Sequence, residues 1–98
     1  MPSGIVLRNR FAMVKGAWED HLPGVPFPSL GEGDAAEKIE RLELALIDEL
    51  YERAGAEGAE RAADAMWSLV HDRSEDDPVK VRVVEHHEAL ARLSRPRI

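Results

Sequence analysis

The sequence predicts an all-α fold, and three observations carry that reading. Apolar residues recur at helical spacing in four stretches, the two clearest stretches are separated by only a few residues, and helix-start and helix-stop residues stand at their ends. The predicted architecture is a helical hairpin over about 34–54 and 59–72, with N-terminal and C-terminal helices packed on it. An α+β alternative places short strands near 5–14 and 79–84.

In the N-terminal stretch, Leu7, Phe11, Val14, Trp18 and Leu22 recur every three or four residues and form one stripe of a helix. The same stretch also admits two short strands, Ile5-Val6-Leu7 and Phe11-Ala12-Met13-Val14, separated by Arg8-Asn9-Arg10. Pro23, Pro26 and Pro28 exclude helix and ladder alike, so 23–33 is expected to be an extended, Pro-rich segment within a single small domain, 1–98.

The first hairpin arm opens at Asp34, an N-cap residue followed three places on by Glu37, which is the capping-box spacing. Ile39, Leu42, Leu46 and Leu50, flanked by Leu44, Ile47 and Tyr51, give it a wide apolar face. Glu37/Arg41 and Glu49/Arg53 are i,i+4 pairs in the favourable order. Gly55 is the natural stop, and Gly55-Ala56-Glu57-Gly58 reads as the turn. The second arm carries Ala59, Ala62, Ala63, Met66, Trp67, Leu69 and Val70 at helical spacing, and a loop this short makes the arms antiparallel.

After a polar run, Asp77-Pro78 is a typical helix entry, with proline at the first helical position. Val79, Val83, His87 and Leu90 then share one face, and Ser94 and Pro96 end the stretch. The strand alternative here rests on the alternation of Val79, Val81 and Val83.

Composition narrows the function. Leu, Ile, Val and Phe make up 24 of 98 residues, above the level at which chains stay disordered. With no cysteine there are no disulfides, thiolate metal sites or cysteine nucleophiles, which fits a reducing compartment. No apolar run is long enough to span a bilayer, and three apolar residues before Arg8 make no signal peptide, so a cytoplasmic protein without a membrane partner is expected. The net charge of −6 is concentrated: residues 31–60 carry −7, against +1 before them and zero after. An acidic middle repels phosphate, so a nucleic-acid partner is not expected. The two small basic groups, Arg8/Arg10/Lys15 and Arg92/Arg95/Arg97, read as solvated termini.

Constellations that could carry chemistry fall short of their requirements. In Glu85-His86-His87-Glu88, adjacent helical residues diverge by about 100° and do not converge on one ion. Ala91 also stands where a zinc-protease pattern needs its second histidine. One of the two histidines is expected to pack or cap, the other to be solvated. Glu37, Glu40 and Glu43 form a row of carboxylates able to bind magnesium, but the matching acidic pair on a later helix is missing: Arg61 precedes Asp64 by three, and Ala45 precedes Asp48. Ser3, Ser29, Ser68 and Ser74 sit in no nucleophile elbow, and Gly31-Glu32-Gly33 lacks a third glycine. No catalytic, cofactor-binding or metal-ligating residue and no cofactor are therefore expected.

The expected function is a non-catalytic protein–protein interaction module, an adaptor, regulator or assembly factor, acting through a helical surface. The alternatives are a small helical subunit of an enzyme whose active site lies mainly on another chain, and a magnesium-dependent all-α hydrolase using the acidic helix. The interface candidates are Trp18, Phe27, Leu42, Leu46, Leu50, Tyr51 and Trp67. The partner is another protein or a second copy, because the face around Leu42, Leu44, Leu46, Ile47 and Leu50 is wider than one neighbour covers and suits a dimer with a shared four-helix core.

Overall fold

A computed structural model of the chain describes residues 4–94. Among them every regular element is a helix. The first, α1, is Gly4–His21. The span Ala35–Val70 is broken at Gly55 into α2 (35–54) and α3 (56–70), and α4 is Pro78–Ser94. The strand alternative near 5–14 and 79–84 is overturned, and burial shows why. On α4, Val79, Val83 and Leu90 are buried while Val81 is exposed, which is the helical period rather than the strand period.

The hairpin arms meet at a single residue instead of a four-residue turn. Gly55 takes φ 58° and ψ −179°, a conformation open in practice only to glycine, and the helix resumes at once, so α3 starts three residues earlier than expected and ends at Val70. Pro96, Arg95 and Arg97 lie outside the described residues, and Arg92 is exposed.

The chain divides into two compact units, one up to Leu46 and one from Ile47 onward. In the first unit, Val14, Trp18 and Leu22 of the predicted α1 stripe are buried. Trp18 donates its indole N–H to the Val25 carbonyl at 2.8 Å, and its ring stacks on Phe27 with centroids 5.5 Å apart. This satisfies a buried N–H and fixes the path of the proline segment. At the start of α2, Asp34 Oδ1 accepts from the Glu37 N–H at 2.9 Å, the expected cap, while the Glu37 carboxylate turns to Arg41. Arg41 also donates to the Leu30 and Glu32 carbonyls and so gathers the loop before the helix. Between α1 and α2, Arg10 meets the buried Glu43 carboxylate at 2.6 Å.

In the second unit, α4 is tied to both arms. Arg82 donates to both oxygens of Asp48 at 2.9 Å, and His86 Nε2 lies 2.9 Å from Asp48 Oδ1. That oxygen is an acceptor, so Nε2 carries the proton in this contact. The His86 ring stacks on Tyr51 at 4.2 Å, and His87 meets Trp67 of α3 at 6.1 Å. Ala59, Ala62 and Ala63 are buried, as expected of residues that let helices approach closely. The Asp77 side chain caps α4 by accepting from the Val79 and Lys80 N–H groups. Lys80 is itself buried. Its ammonium donates to the Arg73 carbonyl at 2.7 Å and the His71 carbonyl at 3.4 Å, and lies 5.6 Å from the Trp67 ring centroid. A cation just beyond the C-terminal end of α3 satisfies carbonyls of the loop that follows it and lies where the helix favours positive charge.

Candidate interaction surface

The first unit carries an apolar groove of about 430 Å³. Three local features build it. The α1 stripe is buried at Val14, Trp18 and Leu22 but opens at its first two turns, where Leu7 is half-buried and Phe11 is 42 % exposed. Arg41 pins the loop so that Leu30 forms one wall. The Asp34 cap starts α2 where Ala35 and Ile39 form the other. Among the described residues, the charged ones at the groove are Arg8 and Lys38, both cationic.

The predicted interface residues separate into two sets. Trp18, Leu42, Leu46 and Leu50 are buried within the chain and offer no surface to a partner. The wide face of α2 is occupied in the same way: Ile47 is fully buried and Leu44 half-buried, which removes the stated reason for a dimer through that face. Tyr51 is half-buried under His86. Phe27 and Trp67 remain exposed, the first over Trp18 and the second beside Val84, His87 and Glu88 in a smaller cleft of the second unit. The structure does not gather these seven residues into one patch.

Phe11, Leu30 and Ile39, which do share a groove, were not among the predicted interface residues. Phe11 was legible as a member of the α1 stripe; its exposure was not, because it depends on where the loop before α2 runs.

The other constellations resolve into structural contacts. The Glu37/Glu40/Glu43 row splits, with Glu37 on Arg41 at the surface and Glu43 buried on Arg10. Among the described residues no three His, Asp or Glu side chains are placed to hold one metal ion. Lys80, Arg82 and His86 are engaged in contacts within the fold. Among the described residues, no helix is long and apolar enough to cross a membrane. No family model, curated protein or solved structure matches the chain.

Proposed function

We propose that the chain is a protein–protein interaction module that receives an apolar segment of a partner in the groove between the starts of α1 and α2. The observation that supports this most is Phe11, a large aromatic side chain left 42 % exposed in a pre-formed apolar groove. Aromatic anchors in such settings dominate binding energy when a partner covers them. Arg8 and Lys38 at the groove favour a partner whose apolar anchors are flanked by carboxylates, in the manner of an amphipathic helix laid into a groove. A small subunit of a larger enzyme would use the groove in the same way, with the enzyme's main chain as the partner.

The test is photo-crosslinking from a photoreactive phenylalanine analogue in place of Phe11, in cells, with adducts identified by mass spectrometry. The expected result is a discrete adduct to a different protein that weakens when Lys38 is changed to Glu. No adduct, or adducts indifferent to K38E, would contradict the proposal. The identity of the adduct separates an adaptor from an enzyme subunit.

A further inference from the structure

The walls of the groove are held in different ways. Ala35, Lys38 and Ile39 stand on α2 itself, whereas Leu30 belongs to the loop before it. Among the described residues, no hydrogen bond between backbone groups ties 26–33 to the rest of the chain. The side-chain hydrogen bonds to this stretch come from Arg41, whose Nη1 donates to the Leu30 carbonyl and also to the Glu32 carbonyl. Its Nη2 lies 3.4 Å from Glu37 Oε2. Gly33 lets the loop close down on this latch: its φ is 141°, and a Cβ there would lie 2.9 Å from Glu37 Oε2 and 3.2 Å from Arg41 Nη2. Arg41 stands two residues beyond Ile39, so α2 presents one wall directly and holds another at the length of a side chain.

We infer that Arg41 is a positioning residue of the groove: by holding the Leu30 and Glu32 carbonyls it sets where the Leu30 wall stands, and so how wide the groove is for its occupant. Arg41 does not line the groove and acts through Leu30. Apolar contact is non-directional and leaves Leu30 free to slide along the surface it covers. Two hydrogen bonds from one charged group fix the loop in direction as well as distance. The role presupposes the site proposed above, since a wall matters only if the groove binds a partner.

The experiment is fluorine NMR of the full chain labelled with para-fluorophenylalanine. Phe11 and Phe27 are the two phenylalanines of the chain, the first in the groove and the second stacked on Trp18 outside it, so each reports its own place without any partner. Arg41→Met keeps the aliphatic stem and removes the donors. In that variant the Phe11 signal moves toward its position in the unfolded chain, while the Phe27 signal stays. Arg41→Lys, whose single nitrogen carries three donors, returns the Phe11 signal. A Phe11 signal unmoved in R41M, or as displaced in R41K as in R41M, would overturn the inference. So would equal movement of both signals, because Arg41 would then serve the fold at large. In a second arm, the photoreactive analogue at Phe11 loses its adduct in R41M and keeps it in R41K; an adduct undiminished in R41M would also overturn the inference. A chain with native Arg41 that forms no adduct would defeat the binding site and leave the fluorine result standing, so the two failures are told apart.

Discussion

Helices α1 and α4 are nearly equal in length, 18 and 17 residues, yet they use their side chains differently. On α4 the polar groups are tied into neighbouring elements: Lys80 holds the loop carbonyls after α3, Arg82 holds Asp48, and His86 contacts Asp48 and stacks on Tyr51. Its exposed large apolar residues are Val81 and Val84, 42 % and 37 % accessible. On α1 the polar ties to other elements are Arg10 to Glu43 and the Trp18 indole to the Val25 carbonyl, while Ile5, Val6, Phe11 and Met13 are all exposed to a greater or equal degree. Covering side chains of this size completely is worth about 1.5–3 kcal/mol each. The difference separates a helix tied into its neighbours from one that leaves large apolar side chains exposed, and it is the reason we propose an interaction surface in the first unit.

The largest effect is expected outside both helices. Leu46 is fully buried, and Leu46→Glu introduces a carboxylate with no partner into an apolar site, so cooperative unfolding and most helicity should vanish from the circular dichroism melt. A native-like melt would show that burial misrepresents α2, and with it the contrast between the two helices. Next comes the ion pair of α1. Arg10→Ala removes the ion pair from Glu43, whose side chain is 1 % exposed, and should cost about 2 kcal/mol in urea titrations, as for a lost hydrogen bond to a buried charged group. A loss below about 1 kcal/mol would mean that the pair does little to hold α1. The matching tie of α4 should cost less. Lys80→Met keeps the aliphatic stem and removes the ammonium from the loop carbonyls, for a loss of about 1.5 kcal/mol, with faster amide exchange over residues 71–77. Unchanged exchange there would show that the loop is held by other contacts.

What could be read from the sequence was local. The Asp34 and Asp77 caps, the Gly55 break and the Glu37/Arg41 and Glu49/Arg53 pairs all lie within a turn or so of the residues they act on, and the structure contains each of them. Contacts between distant parts of the chain were not legible. Arg10 and Glu43 are 33 residues apart, and Asp48 and Arg82 are 34 apart; each reads in isolation as an ordinary surface charge. Lys80 gave no sign of burial, because its partners, two backbone carbonyls and the Glu75 carboxylate, belong to a loop whose path was unknown. Trp18, expected as a contact residue beside the prolines, is instead buried because the chain turns back at 22–25 and presents the Val25 carbonyl to its indole. The groove depends on the same kind of information, since Leu30 and Ile39 meet the start of α1 only after the intervening loop has closed.

The central claim is that the exposed apolar residues of α1 serve association rather than folding. The most direct test is urea unfolding, at protein concentrations too low for association, of a chain carrying Ile5→Gln, Phe11→Gln and Met13→Gln together. The account predicts a stability within about 1 kcal/mol of the unmodified chain, as for surface substitutions. A loss of about 3 kcal/mol or more would show that these side chains belong to the core, and would contradict the claim.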